Sequence, residues 1–245
     1  MFDLCVLNLK HRIDRQTKFQ RLHDRHSLHY EFIEAIDGRK IQLDDLIKHG
    51  LAVADLQYYT AGALGCALSH RALWQRCIAE DKSMIICEDD AILRSDFETT
   101  LPQLTCRLPV DWDFVLLGYN FDSATSLELF PGVVMHSLFS AFAGKVPDER
   151  DIATFVAIET IPTILALNHA FGTCAYMISP KGARRLLELC FPLSNLSIYI
   201  PSLRRTIVSF GLDSLLNTFY SELQAFCSVP PLAISPNDRQ DSDIS

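Results

Sequence analysis

Short apolar runs of strand length alternate with stretches of helical periodicity along this chain of 245 residues, and that alternation limits the fold more than any other feature. Such a pattern points to an α/β domain in which helices cover a sheet. Residues 2–9 read as a first strand, followed by a basic helical segment over 14–23 with Phe19 and Leu22 as its apolar contacts. The run 32–36 leads into an Asp37-Gly38 turn. A helix is predicted over 63–80, where Cys66, Leu73, Trp74 and Cys77 share one stripe with His70. Residues 84–87 form a short buried strand that stops at Glu88-Asp89-Asp90, and 114–118 form another. A strand over 172–178 precedes Ser179-Pro180, an N-cap followed by proline at the first helical position, with Ala183, Leu186, Leu187 and Cys190 at helical spacing behind it. A last helix is predicted over 213–223, and 119–168 is expected to hold variable loops or a hairpin. With no repeat or linker, a single domain over 1–245 is expected.

Composition narrows the function. Hydrophobic residues make up 49% and charged residues 21%, as in ordinary globular proteins. The net charge of −8 repels nucleic acid, and a small anionic ligand would need local arginines or a metal ion. The eight cysteines are scattered singly with no C-x-x-C pair, which reads as buried, reduced thiols of a cytosolic protein rather than a disulfide framework or a zinc site. The first residues lack the basic and apolar regions of a signal peptide, and the apolar stretch 152–178 is interrupted by Glu159, Pro162, Asn168 and His169. The expectation is a soluble cytoplasmic protein, able to touch a membrane surface peripherally.

Three consecutive carboxylates at the end of a buried strand are the most informative chemical feature. Like charges this close oppose each other's ionisation unless a cation or donors compensate. Hard oxygen ligands suit Mg²⁺ or Mn²⁺, and open α/β sheets bind ligands beyond the carboxyl ends of their strands. Capping of the next segment by Asp89 or Asp90 is the plainer alternative. Asp111-Trp112-Asp113 also pairs carboxylates, but it precedes its strand and therefore reads as structural. Asp241-Ser242-Asp243 lies in a polar tail that is either disordered or folded over the site.

The chain resembles glycosyltransferase family 25. The matching pieces are Val6-Leu7-Asn8-Leu9 with Arg12 and Arg15, Ala35-Ile36-Asp37-Gly38, Gly62-Ala63-Leu64-Gly65-Cys66 with Ser69-His70, and Ile85-Ile86-Cys87-Glu88-Asp89-Asp90. They continue with 172–179, Gly182-Ala183, Asp213, and the segment from Pro230-Pro231-Leu232 to Ser242-Asp243-Ile244. Lys10-His11 and Ala63 depart from the family's usual residues, which bears on the identity of the sugar.

The resemblance implies a GT-A type, Rossmann-like mixed sheet flanked by helices. It also implies a nucleotide-sugar donor such as UDP-galactose, Mn²⁺ or Mg²⁺, inversion at the anomeric carbon, and a saccharide or glycolipid acceptor such as lipooligosaccharide. Asp90 is then the metal ligand, with Asp89 beside it, and Glu88 and Asp89 hold ribose or metal-bound water. Arg12 and Arg15 reach the phosphates or are a solvated helix face, and Asn8 meets the base or caps a turn. Ser69 and His70 line the site, although a histidine on an apolar stripe is equally at home in a core. Asp213 takes the acceptor's proton or serves as a helix N-terminal acid. Tyr176 belongs to the core, with its hydroxyl within reach of the pocket. Two other functions use the same acids: a metal-dependent nucleotidyltransferase or phosphohydrolase, and a non-catalytic nucleotide-sugar-binding relative.

Overall fold

Strand β1 (Asp3–Asn8) sends Cys5 and Leu7 into one core and Leu4 and Val6 into another, the period-two alternation of a strand buried on both faces. The structure is a computed structural model that describes residues 2–24, 28–140, 147–236 and 243. After β1 come α1 (Ile13–His23), β2 (Tyr30–Glu34), α2 (Leu43–Lys48), α3 (Ala61–Glu80) and β3 (Met84–Glu88). Then follow β4 (Ile92–Leu93), α4 (Phe97–Thr105), β5 (Phe114–Asn120), β6 (Ala124–Phe130), β7 (Val133–Leu138), α5 (Glu149–Val156) and β8 (Thr163–His169). The rest is β9 (Ala175–Ile178), α6 (Pro180–Cys190), β10 (Ser197–Ile200), β11 (Arg205–Val208), α7 (Leu212–Leu216), β12 (Ala225–Val229) and β13 (Ala233–Ser235).

The main sheet runs β2-β1-β3-β9-β5-β12-β8-β6-β7, with β13 placed beside β4 and β5. Strand β1 is parallel to both β2 and β3, whereas β9 is antiparallel to β3 and β5. This is an α/β, Rossmann-like mixed sheet flanked by helices. The chain leaves β1 through α1 to reach β2 on one side, then returns through α3 to β3 on the other. Strand order therefore reverses at β1, and the carboxyl ends of β1 and β3 flank a crevice of the kind that binds ligands in such sheets.

Each face carries its own helices. Leu73 and Trp74 of α3 and Leu186 of α6 pack with Cys5, Leu7 and Ile86. On the other face, Phe19 of α1 and Leu101 and Leu104 of α4 pack with Leu4, Val6 and Ile85. Phe19 is fully buried, so truncation to alanine would cost about 3–5 kcal/mol.

Helix α3 approaches the 3₁₀ turn Gly38–Lys40 too closely for side chains. A Cβ on Gly65 would lie 2.4 Å from the Ile36 carbonyl oxygen, and one on Gly38 would lie 1.6 Å from that of Ala61. Thr60 caps α3 by accepting from the Ala63 N–H at 3.1 Å. Ser179 caps α6 by accepting from the Gly182 N–H at 3.0 Å, with Pro180 at the first helical position.

Two expectations need correction. The helix expected over 213–223 is only the single turn of α7, followed by a 3₁₀ turn Tyr220–Glu222. Asn217 explains the stop: its side chain bonds both backbone groups of Ala170 at 2.8 Å, and this long-range pairing replaces helix continuation. Within 119–168 the expected hairpin is present as β6–β7, and β8, β6 and β7 extend one edge of the sheet, with α5 between β7 and β8 in the chain. The cysteines are unpaired but not uniformly buried, since Cys106 is exposed and Cys66 only half-buried. No helix among the described residues is long and apolar enough to cross a membrane.

Candidate active site

The pocket lies where β1 and β3 end. Parallel pairing sets Leu7 opposite Glu88, so Asn8 and the acidic triplet emerge side by side. Arg15, Ser69, His70, Glu88, Asp89 and Asp90 all line this one pocket, together with Cys66, Asn120 and Asp243.

Asp89 is held on both oxygens. Asn8 donates from Nδ2 to Oδ2 at 2.7 Å, and Arg15 donates from Nη1 to Oδ1 at 2.9 Å. Burial nevertheless leaves its carboxyl above the ordinary range. Glu88 accepts from the Thr173 hydroxyl at 2.5 Å and lies 3.8 Å from His70 Nε2. Burial opposes ionisation of Glu88, but His70 and Thr173 outweigh it and hold the carboxyl below its usual value. Asp90 differs from both neighbours. Its Oδ2 accepts from Ser235 at 2.7 Å, while Oδ1 is buried without a partner among the described residues. Burial, reinforced by the charge of Glu88, pushes its pKa up to about 6.

An orphaned buried carboxylate oxygen costs free energy unless something fills its place. In a pocket lined by oxygen donors, a hard divalent cation fits that position. Of the two aspartates, Asp90 has the oxygen that could meet such an ion, whereas both oxygens of Asp89 are engaged by Asn8 and Arg15.

Other residues named from the sequence fall into place differently. Ser69 touches the pocket, but its hydroxyl donates to the Gly65 carbonyl at 2.7 Å and accepts from the Ile36 N–H at 2.8 Å, which pins α3 to the pocket wall. His70 is fully buried, with Nδ1 2.7 Å from the Tyr176 hydroxyl, and that hydroxyl accepts from Trp74 Nε1 at 2.8 Å. Arg12 pairs with Asp14 at 2.8 Å and with Asp243, which brings the tail's last aspartate over the pocket; Asp241 lies outside the described residues. Asp213 is half-buried and is not among the described lining residues. It accepts from Gly172 N–H at 3.1 Å and Ser214 N–H at 2.6 Å, and burial raises its pKa.

The Asp111-Trp112-Asp113 pair stands away from this pocket. Asp113 is fully buried, accepts from the Gln224 N–H at 2.9 Å and pairs with Lys181 at 3.0 Å, so it anchors the start of β5. Nothing in the sequence singles out Asn120 or Ser235, which enter the site only because β5 and β13 end beside it. Cys66 belongs by its spacing to the buried stripe of α3, yet one helical turn before His70 it opens onto the pocket.

Comparison with known proteins identifies the family. The family model for glycosyltransferase family 25, described as an LPS biosynthesis protein family, matches residues 1–197. The chain is 26% identical over 253 residues to a glycosyltransferase 25 family member of Aedes aegypti, covering 98% of this chain and 36% of that protein. It is 22% identical over 198 residues to procollagen galactosyltransferase 2 of Homo sapiens, covering 76% and 27% of the two chains. It is 24% identical over 198 residues to the inactive glycosyltransferase 25 family member 3 of Mus musculus, covering 76% and 28%. The chain thus spans between 27% and 36% of the length of these relatives. With its crevice at the strand-order reversal and its acidic triplet in place, the chain belongs to glycosyltransferase family 25.

Proposed function

We propose that the chain is an inverting glycosyltransferase of GT-A type that moves galactose from UDP-galactose to a hydroxyl of a saccharide or glycolipid acceptor. The observation that carries this reading is the unpaired Oδ1 of Asp90, buried in a pocket that also holds Arg15. Galactose is suggested by the name of the human relative, and a lipid-linked saccharide acceptor by the family's description.

Asp90 would hold Mn²⁺ or Mg²⁺, which when bound offsets charge on the donor's diphosphate. Arg15 presents its guanidinium to the pocket, kept in place by Asp89, and its donor fork suits phosphate oxygens. Asn8 fixes Asp89 from the other side and so orients Arg15 indirectly. In the transfer itself, the acceptor oxygen bonds to the anomeric carbon as the bond from that carbon to the diphosphate breaks. Asp213 receives the acceptor's proton, and its burial makes it a stronger base than an exposed aspartate.

The test is incubation of purified protein with a panel of nucleotide sugars, with Mn²⁺ or with EDTA, reading release of the nucleotide diphosphate. Release from one donor only, abolished by EDTA and by Asp90→Ala, is expected. Metal-dependent hydrolysis of nucleotides without a sugar would favour the phosphohydrolase reading. Donor binding without turnover across an acceptor panel would place the chain with the inactive relative. Absence of any donor binding would sink the proposal.

A further inference from the structure

Beside Asp90 the pocket holds a second group of ligating side chains, to which the proposed transfer assigns no step. Cys66 and His70 lie one turn apart on α3, and Glu88 faces them from the end of β3. Cys66 Sγ, a ring nitrogen of His70 and a carboxylate oxygen of Glu88 all lie within 4.8 Å of one another. The pair His70 Nε2 and Glu88 Oε1, at 3.8 Å, is too far apart for a hydrogen bond. Nε2 is fully buried and has no hydrogen-bond partner among the described residues. Ligand atoms around one tetrahedral Zn²⁺ stand about 3.3–3.6 Å apart, given metal–ligand bonds of about 2.0–2.3 Å. A small closing of the three side chains meets that spacing.

We propose that Cys66, His70 and Glu88 form a binding site for a divalent cation of borderline softness, Zn²⁺ first among them, distinct from the hard-cation position at Asp90. Thiolate and imidazole ligands select such an ion over Mg²⁺ or Mn²⁺, for which Asp90 offers oxygen alone. With three protein ligands, a fourth position opens toward the pocket, since Cys66, His70 and Glu88 all line it. The surroundings suit the role. His70 Nδ1 sits 2.7 Å from the Tyr176 hydroxyl oxygen, and in the tautomer that carries its proton on Nδ1 this contact holds the ring with Nε2 toward the ion. The Thr173 hydroxyl holds Glu88 from the other side. Binding forms the metal–sulfur bond and releases the thiol proton to water, which makes affinity rise with pH.

This inference rests on ligand geometry and does not depend on the transferase reading. The test uses the whole chain, stripped with chelator, dialysed and titrated with Co²⁺ while thiolate-to-cobalt charge-transfer absorption is followed. About one equivalent of Co²⁺ should produce the band, and Zn²⁺ but not Mn²⁺ should displace it. Cys66→Ser should abolish the band, and Tyr176→Phe should weaken Co²⁺ binding about 10- to 100-fold. Cys106→Ser, on the exposed end of α4, should leave it intact, and circular dichroism checks that each variant folds. A wild-type protein without the band, or a band that persists in folded Cys66→Ser, would overturn the proposal. So would a band lost in Asp90→Ala but kept in Cys66→Ser. Because none of these readouts involves sugar transfer, failure here and failure of the transferase reading are separately visible.

Discussion

Asn8 donates from Nδ2 to Oδ2 of Asp89 at 2.7 Å, so the ends of β1 and β3 are tied by side chains as well as by their parallel register. Arg15 completes the arrangement on the other oxygen, and both members of that ion pair are largely removed from water. Removing one partner of a buried pair leaves a charge without compensation. Arg15→Ala is therefore expected to lower stability by about 3 kcal/mol in urea unfolding. Adding Asp89→Asn to that variant should restore most of the loss, because the stranded charge is then gone. An Arg15→Ala protein as stable as wild type would contradict the reading of this contact.

Asp90 predicts a pH dependence with a definite sign. In metal-free protein its pKa is pushed up to about 6, mainly by burial, from the ordinary aspartate range. The folded state then binds this proton more tightly than the unfolded state does. The contribution is fully present below the unfolded value and is lost as pH rises through about 6. A rise of that size contributes at most about 3 kcal/mol. Asp90→Asn should flatten the stability profile between the ordinary aspartate range and neutral pH in EDTA. Mn²⁺ should raise wild-type stability near neutral pH without stabilising the variant. Urea midpoints measured across pH, with and without Mn²⁺, decide it.

Much of this was legible in the residues because the signals were local. The short apolar runs around Cys5 and Ile86, the Ser179-Pro180 cap and the triplet at the end of β3 each declare themselves within a few positions. What escaped depended on distant partners. Asn217 ends α7 by bonding Ala170, 47 positions away, and no periodicity in 213–223 reveals that. Asn120 and Ser235 reach the pocket only because β5 and β13 lie side by side. Cys66 follows the same spacing as Trp74 and Cys77, yet lines the pocket instead of sinking fully into the core.

Asp213 separates chemistry from architecture. Its carboxylate accepts the N–H groups of Gly172 and Ser214, and Gly172 adopts φ +90°, a conformation that side chains disfavour. Asparagine can keep one of these contacts through its carbonyl oxygen but cannot take a proton. Asp213→Asn should therefore retain the fold while kcat for transfer falls by about 10²-fold or more, with KM little changed. Steady-state kinetics on the donor identified by the nucleotide panel provide the measurement. A variant with kcat near wild type would remove Asp213 from the reaction.

The second carboxylate pair yields the opposite outcome. Asp111 is exposed, and Lys181 donates to its backbone carbonyl at 2.6 Å, so its side chain does little that solvent could not. Asp113 is fully buried and its oxygens hold the Gln224 N–H and the Lys181 ammonium. Were the pair a metal motif, both substitutions would abolish metal-dependent turnover while sparing the fold. As an anchor for β5, Asp113→Ala should cost about 2–4 kcal/mol of stability, because a buried backbone donor and half of an ion pair lose their partner together. Asp111→Ala should stay within about 0.5 kcal/mol of wild type. Folded Asp113→Ala protein, measured well below its melting temperature, should bind Mn²⁺ as wild type does, whereas Asp90→Ala should not. Loss of Mn²⁺ binding in the Asp113 variant would reverse the assignment of the two acidic motifs.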